Sequence, residues 1–336
     1  MTTLDVEYQL SDAERVALEQ ASTALVEAGA DPGTPEFYDR ADVYDVLPPG
    51  LRRFLRDFRR HEPAAAVVVR NLPVQAARLP PTPSGWREAI DLDGTRREEA
   101  VLGLCGLAVG EPYAWLTLQA GRLVQNVLPV RGDELAQSGY GSRALLEFHT
   151  EDGFHPQRPD YLLLLGLRNH EAVPTLVASV RDARLPERTL RVLRERRFVI
   201  LPDPEHQRQL GDIAPGRPAL DSVRRWSDHP EPTSVLTGDP RSPYVQLDRP
   251  FMRAVDGDPD AEGALDDLVT ALERVQHRIV IDQGTLVIID NAVAVHGRLP
   301  FDARYDGTDR WLKKLLVRRD IRRFDISPPG SQRVRV

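Results

Sequence analysis

The sequence predicts an α+β fold, in which a jelly-roll core of short strands is braced by helices. Two observations predict it: strand-length apolar runs recur through the C-terminal two thirds of the chain, and helical periodicity is concentrated before them. Many short strands separated by turn residues are typical of a β-sandwich or barrel. One helix interrupts them, with apolar residues in a single stripe from Leu265 to Val275. From Leu145 onward the strand-like runs are 145–151, 161–167, 175–180, 197–201, 244–247, 279–281, 285–289 and 311–317.

Helices dominate the first 110 residues. Ser11 and Glu14 form a capping-box pattern, and apolar residues follow at helical spacing as far as Gly29. Further helices are expected at 51–60 and 97–109, a buried strand at 64–69, and strands at 113–119 and 122–130. We therefore expect one domain over residues 1–336, with a helical part and the first strands in 1–110 and the jelly-roll core in 111–325.

The segment 202–240 differs from its surroundings in composition. It is dense in Pro, Gly, Asp and His and poor in periodic apolar residues, over a length that few structural loops reach. Such a stretch is usually a lid or a disordered insertion. We predict a lid that closes over the active site.

Composition and charge exclude several classes of protein. The formal net charge of −7 is spread over both signs without a basic stripe, so nucleic acid is an unexpected partner. No apolar run approaches the length that spans a membrane, and the N-terminus has no secretory pattern, so we expect a cytoplasmic protein. The single cysteine, Cys105, lies in an apolar run and is expected to pack in the core.

A candidate metal site comes from a pair of residues at the end of one predicted strand. His149 and Glu151 point to the same face in an extended chain. His296 is the candidate third ligand, because it follows the run 285–289 and precedes Gly297, which permits close backbone approach. Two histidines and a carboxylate that leave three adjacent coordination positions open are the arrangement of non-haem iron(II) oxygenases.

A His-x-Glu pair alone is common in protein sequences, so the metal-site prediction depends strongly on a further residue, the cation Arg310. Arg310 follows His296 by fourteen residues, and in a strand it shares one face with Lys314 and Arg318. A planar guanidinium is the usual partner of a buried carboxylate, and 2-oxoglutarate has a distal carboxylate that needs such an anchor. Three other cations of this region, Lys313, Arg318 and Arg319, are interpreted as surface residues.

The segments 149–155, 158–161, 288–291, 295–298 and 309–311, with the region around Thr175, together resemble a known family. It is the clavaminate synthase-like family of Fe(II)/2-oxoglutarate-dependent oxygenases, which includes hydroxylases of free arginine, lysine and asparagine. The resemblance implies a double-stranded β-helix, or cupin-like, core. It also implies iron ligation by His149, Glu151 and His296. Arg310 and the Thr175 hydroxyl would hold 2-oxoglutarate, and O₂ would be the second cosubstrate.

The resemblance also implies residues that hold the substrate, a free L-amino acid. The α-amino group would contact Glu151, and the α-carboxylate would meet Lys314, where relatives commonly have arginine. Asp248 would bind the end of the substrate side chain, and Gln119 would add a further contact to it. Relatives that hydroxylate arginine tend to have a second aspartate two residues later, where this chain has Pro250. This absence weakens a guanidinium assignment, but one carboxylate could still bind an ammonium, a single edge of a guanidinium or a side-chain amide. The implied substrates are arginine or lysine first and asparagine or glutamine next.

Two further residues, Asp152 and His155, are expected to support the metal loop without binding the metal. Three alternatives stay open at this point: desaturation or cyclisation with the same cofactors, a non-catalytic cupin-like metal-binding protein, and a zinc hydrolase. The hydrolase reading leaves Arg310 and Thr175 without a role. The sequence leaves the oligomeric state open.

Overall fold

The computed structural model describes residues 6–43, 45–213, 218–322 and 332–335. Its helices are α1 Asp12–Glu27, α2 Pro35–Tyr38, α3 Pro49–His61, α4 Trp86–Ile90, α5 Arg96–Val109, α6 Glu187–Leu193, α7 Pro204–Ile213, α8 Pro218–Asp228 and α9 Pro259–Val275. Its strands are β1 Glu7–Gln9, β2 Ala66–Arg70, β3 Glu111–Trp115, β4 Val124–Val127, β5 Leu146–His149, β6 Tyr161–Arg168, β7 Pro174–Ser179, β8 Phe198–Ile200, β9 Leu236–Asp239, β10 Ser242–Val245, β11 Met252–Ala254, β12 His277–Val280, β13 Leu286–Asp290, β14 Ala294–Arg298, β15 Trp311–Arg318 and β16 Val334–Arg335.

Two sheets form the centre of the protein. The larger has the order β1-β2-β13-β6-β15-β3-β16, with β4 also pairing with β15, and the smaller has the order β12-β7-β14-β5. Apolar residues of both sheets, including Leu164 and Val177, pack in one cluster between them. Helices α1, α3 and α5 cover the other face of the large sheet, and α9 packs against the small sheet. The predicted combination of helices with an extensive β core is confirmed.

Strand β15 shows how side-chain alternation assigns residues to the two faces of the large sheet. Leu315 packs in the cluster beneath the helices, whereas Leu312 packs in the cluster between the sheets. Lys313 therefore faces α5, where its Nζ donates to Glu99 Oε1 at 2.7 Å and the side chain is fully buried. The interpretation of Lys313 as a surface cation was wrong, because both faces of this strand are covered. Lys314 is on the opposite face, toward the space between the sheets.

The segment 202–240 contains more regular structure than its composition suggests. Helix α7 begins at Pro204, helix α8 begins at Pro218, and strand β9 follows. Proline is well accepted in the first turn of a helix, where its missing N–H has no partner to lose. The prolines here therefore start helices, so the described part of this segment is not an irregular insertion.

Several local predictions are confirmed by the structure. Ser11 caps α1 and forms the capping box with Glu14. Cys105 is buried in the core, and burial raises the pKa of its thiol to about 12. Among the described residues, no helix combines the length and the apolar character needed to cross a bilayer.

Candidate metal centre and substrate pocket

The three predicted metal ligands lie together. His149 is the last residue of β5, Glu151 follows two residues later, and His296 lies on β14 directly opposite His149 in the sheet register. Donor atoms of the three side chains are all within 4.8 Å of one another. A Cβ added to Gly297 would lie 2.4 Å from the carbonyl oxygen of Leu146, so glycine is what lets β14 approach β5 this closely.

The donor set fits a divalent transition-metal ion. His149 Nδ1 donates to the carbonyl oxygen of Glu147 at 2.9 Å, which leaves Nε2 as its free donor atom. Burial, with a further contribution from His296, lowers the pKa of His149 to about 4, so this imidazole is neutral at pH 7. Although burial opposes its ionisation, Glu151 has a pKa well below the usual range because of the charge of Lys314. Two imidazoles and one carboxylate suit iron, zinc or a similar ion.

A buried cation lies in the same cavity as the triad. Arg310 is 8% exposed, and its NH2 group donates to Thr175 Oγ1 at 3.1 Å. Its Nε is buried without a hydrogen-bond partner, and burial, reinforced by nearby Arg298, lowers the pKa of Arg310 to about 9. The Nε of Arg298 is also buried without a partner, but Arg298 differs in that both of its terminal NH2 groups donate to backbone carbonyl oxygens, those of Gly141 and Ala144. Of these two arginines, Arg310 is the one whose guanidinium has terminal N–H groups left to donate to a bound anion.

Lys314 pairs with the predicted metal carboxylate. Its Nζ donates to Glu151 Oε1 at 2.7 Å, while Glu151 Oε2 lies 3.4 Å from His296 Nε2. Burial opposes the charge on Lys314, but the Glu151 carboxylate raises its pKa above the ordinary value. The two side chains keep only 16% and 12% of their surface exposed, so this ion pair is largely shielded from water. A positive and a negative group are therefore adjacent beside the metal position.

An acidic wall closes another side of the cavity. Asp203 and Asp248 both line it, with Glu205 beside them. Burial, followed by the charge of Asp203, raises the pKa of Asp248 well above its usual value. Burial also raises the pKa of Asp203 to about 6. Glu205 has a cation partner in Arg208 at 2.7 Å, so Asp203 and Asp248 are the two carboxylates whose mutual repulsion a bound cation would relieve.

Gln119 also lines the cavity, although it is not on a strand as predicted. It lies in a short 3₁₀ turn and is 1% exposed, so its side chain is shielded from solvent. Its Nε2 donates to Tyr140 Oη at 2.9 Å and to the Asn126 carbonyl oxygen at 2.8 Å. Its backbone N–H donates to Gln209 Oε1 on α7 at 2.8 Å, which connects the helix of the 202–240 segment to the pocket.

The loop after Glu151 is held by buried polar and aromatic contacts. Asp152 accepts hydrogen bonds from Trp115 Nε1 at 2.6 Å and from His206 Nε2 at 3.2 Å. His206 belongs to α7, and its Nδ1 lies 2.6 Å from Thr117 Oγ1. The His155 ring packs 4.4 Å from the Trp115 ring. Asp152 and His155 therefore both contact Trp115, and α7 contacts the loop through His206.

Sequence reasoning missed Asp203, His206 and Asn291. A signal existed for the first: Asp203 precedes Pro204 and accepts the backbone N–H of Glu205 at 2.9 Å, the pattern of an N-cap followed by proline. His206 would then have followed on the same helix. Asn291 carried no chemical signal, because its role depends on a contact with Glu151, which is 140 residues away in the sequence.

Several known proteins are similar to this chain over most of its length. A sequence profile of the taurine catabolism dioxygenase TauD, TfdA family matches residues 105–316. Enduracididine beta-hydroxylase of Streptomyces hygroscopicus is 35% identical over 94% of this chain and 94% of its own. L-ornithine/L-arginine 3-hydroxylase of Catenulispora acidiphila is 38% identical over 86% and 87%. L-asparagine oxygenase of Streptomyces coelicolor is 38% identical over 97% and 93%.

Solved structures of the non-heme iron oxygenase OrfP have a similar fold. Its complex with Fe, succinate and (3S)-hydroxy-L-Arg superposes with a TM-score of 0.90 at 36% identity, covering 98% of this chain and 99% of OrfP. Its complex with Fe and alpha-ketoglutaric acid gives a TM-score of 0.86 at the same identity and coverage. These similarities extend over the helices, both sheets and the 202–240 segment.

Proposed function

This chain belongs to the TauD/TfdA family of dioxygenases, and from that premise we propose that it is an Fe(II)/2-oxoglutarate-dependent hydroxylase of a free L-amino acid. The family resemblance expected from the sequence is thereby confirmed. The reaction would convert amino acid, 2-oxoglutarate and O₂ into hydroxy amino acid, succinate and CO₂. The observation that carries the proposal is the buried Arg310 beside the His149, Glu151 and His296 cluster.

Arg310 is proposed to bind the distal carboxylate of 2-oxoglutarate. A buried guanidinium with an unpartnered Nε is unfavourable unless an anion completes its hydrogen bonds. The Thr175 hydroxyl, 3.1 Å from Arg310, would donate a further hydrogen bond to that anion. A non-catalytic binding protein or a zinc hydrolase has no use for this pair.

His149, Glu151 and His296 are proposed to hold the iron. When iron(II) is bound, it supplies the oxygen activation that couples decarboxylation of 2-oxoglutarate to oxidation of a C–H bond. The protein orients the partners and keeps water away from them. Residues between the two sheets provide that exclusion, and we propose that these sheets form a double-stranded β-helix within one domain.

The ion pair of Glu151 and Lys314 supports a free amino acid as the substrate class. A zwitterion carries an ammonium and a carboxylate on one carbon, so it matches a carboxylate and an ammonium that lie 2.7 Å apart. The α-amino group would lie against Glu151 and the α-carboxylate against Lys314. Lysine offers a point charge rather than the rigid fork of arginine. Lys314→Arg should therefore keep the positive charge beside Glu151 but change the geometry of the contact with the α-carboxylate.

The acidic wall supports a cationic side chain. The missing second aspartate at Pro250 argued against a guanidinium substrate, but α7 brings Asp203 to the same cavity as Asp248. The buried carboxylate of Asp248 and the half-buried carboxylate of Asp203 can share the charge of a guanidinium or ammonium, and that cation would lower both raised pKa values. Arginine and its cationic relatives are therefore the leading substrates, and asparagine and glutamine follow.

A substrate screen tests the proposal directly. The purified protein with Fe(II), 2-oxoglutarate and O₂ would be incubated with each free L-amino acid, and succinate and the amino acid product would be measured by mass spectrometry. A mass gain of one oxygen indicates hydroxylation, whereas loss of two hydrogens indicates desaturation or cyclisation. The control is His296→Ala, which should abolish turnover. Failure of every amino acid to stimulate succinate formation would remove the substrate assignment.

A further inference from the structure

Asn291 lies in the turn between β13 and β14 and is completely buried. Its side-chain amide makes three hydrogen bonds, all to backbone groups. The Oδ1 atom accepts from the Glu151 N–H at 2.7 Å. The Nδ2 atom donates to the carbonyl oxygens of Glu151 at 3.0 Å and Pro159 at 2.9 Å. The amide therefore satisfies both backbone groups of Glu151, as a neighbouring strand would.

The position of Glu151 in the fold explains why such a partner is needed. Strand β5 ends at His149, where the backbone pairs with His296. The next residue, Thr150, is held by the Leu247 carbonyl oxygen through its N–H at 2.6 Å. Glu151 lies beyond the last pair of this ladder, and a buried N–H or C=O without a partner is unfavourable. The Asn291 amide replaces the missing strand.

We propose that Asn291 is a positioning residue for the metal: it orients the backbone of Glu151 and thereby aims the Glu151 carboxylate at the metal position. The inference rests on the proposed function, because it assigns Asn291 to the same metal site. Lys314 holds the carboxylate end of Glu151, and Asn291 holds the backbone end. His296 follows Asn291 by five residues, so one hairpin carries one ligand and orients another.

The chain contains a matched control in Asn169. This side chain is also buried, with 7% exposed, and it makes the same set of backbone hydrogen bonds. Its Oδ1 accepts from the Val173 N–H at 3.0 Å, and its Nδ2 donates to the carbonyl oxygens of Val173 at 3.0 Å and Ile281 at 3.2 Å. None of these partners is a predicted metal ligand. Substitution of either asparagine should therefore have a similar effect on folding.

The test compares Asn291→Asp with Asn169→Asp. Each change is nearly isosteric, removes the amide donor and places an oxygen against two carbonyl oxygens. Fe(II) affinity would be measured by anaerobic calorimetric titration without 2-oxoglutarate, and thermal unfolding would be followed on metal-free protein. Asn291→Asp should weaken Fe(II) binding by roughly 10- to 100-fold, the usual effect of losing a group that orients a metal ligand. Asn169→Asp should leave Fe(II) affinity at the wild-type value while lowering the thermal midpoint comparably.

Two outcomes would overturn the inference: an unchanged Fe(II) affinity in Asn291→Asp, or an equal loss of affinity in both variants, which would be an effect of stability alone. Should Asn291→Asp not fold, Asn291→Ala and Asn169→Ala replace the pair, since alanine removes the hydrogen bonds without adding a repulsive oxygen. A wild-type protein that does not bind Fe(II) would remove the proposed function itself. The wild-type titration thus separates that failure from failure of Asn291 as the positioning residue.

Discussion

Replacement of Arg310 by alanine is the most informative single change, because it removes one partner of a proposed buried ion pair. Truncating one member of a hydrogen-bonded buried charge pair costs about 3–5 kcal/mol. Since each 1.4 kcal/mol is roughly a tenfold change in binding, the apparent KM for 2-oxoglutarate should rise by roughly 10²- to 4 × 10³-fold. Removing the Thr175 hydroxyl in Thr175→Val takes away one hydrogen bond to the charged carboxylate, about 1.5–3 kcal/mol, so the rise should be roughly 10- to 150-fold.

The Arg310→Ala substitution should also change the stability of the protein. Burial lowers the pKa of Arg310 from 12.5 to about 9, so the charged guanidinium is less favourable in the folded than in the unfolded chain at neutral pH. Without 2-oxoglutarate, Arg310→Ala should therefore keep or raise the thermal midpoint. With 2-oxoglutarate, the midpoint should rise in the wild-type protein and stay constant in the variant.

Succinate formation as a function of 2-oxoglutarate concentration measures the first effect, and thermal shift with and without the cosubstrate measures the second. Fe(II) affinity serves as the control and should be unchanged, since Arg310 is not among the three ligands. The reasoning is refuted if Arg310→Ala retains the wild-type KM for 2-oxoglutarate. If Arg298→Ala shows the large rise instead, then Arg298 is the anchor.

Three further predictions concern the acidic wall and α7. Asp248→Asn should lower kcat/KM for a cationic amino acid by roughly 10- to 100-fold, because one charged contact of about 1.5–3 kcal/mol is lost. The kcat/KM for a substrate with an amide side chain should change little. An unchanged order of substrate preference in a competition assay would contradict this prediction. The pKa of Asp203 is about 6, so this carboxylate is ionised above pH 6 and loses its charge as the pH falls. The KM for a cationic substrate should therefore rise about tenfold from pH 7 to pH 5, and Asp203→Asn should abolish this dependence; a profile identical in wild type and variant would exclude Asp203. His206→Phe should remove the hydrogen bond between α7 and Asp152. Hydrogen exchange in residues 204–213 should become faster, and the KM for the amino acid should rise while the KM for 2-oxoglutarate stays constant. Exchange at the wild-type rate would mean that α7 is held by other contacts.

Much of the metal site could be predicted because its signals are local. His149 and Glu151 share a face through simple strand alternation, and Arg310 and Lys314 do so in the same way. Gly297 indicated a close backbone approach, and the structure places it against Leu146. The N-cap pattern of Asp203 indicated a helix start but not a place in the pocket, and Asn291 carried no local signal, because the partners of both residues are distant in the sequence.

Lys313 illustrates the limit of local reasoning. In the sequence it is one of two adjacent lysines, and nothing in the pattern says which faces water. The structure shows that β15 is covered on both sides, so Lys313 is paired with Glu99 on α5 and Lys314 with Glu151 beside the metal position. Alternation separates the two side chains, but only the packing of helices and sheets decides what each one meets.

The sequence by itself therefore determined the family and the three metal ligands that it implies, and it indicated Arg310 as the proposed cation for 2-oxoglutarate, since these depend on spacing within short segments. Only the tertiary structure decided the composition of the pocket wall. It brought Asp203 and Asp248, 45 residues apart, to the same cavity, and it placed Asn291 against the backbone of Glu151, 140 residues away, because chain folding brings together segments that are distant in the sequence. The proposed recognition of the substrate side chain depends on the first of these arrangements, and the proposed orientation of the Glu151 carboxylate depends on the second.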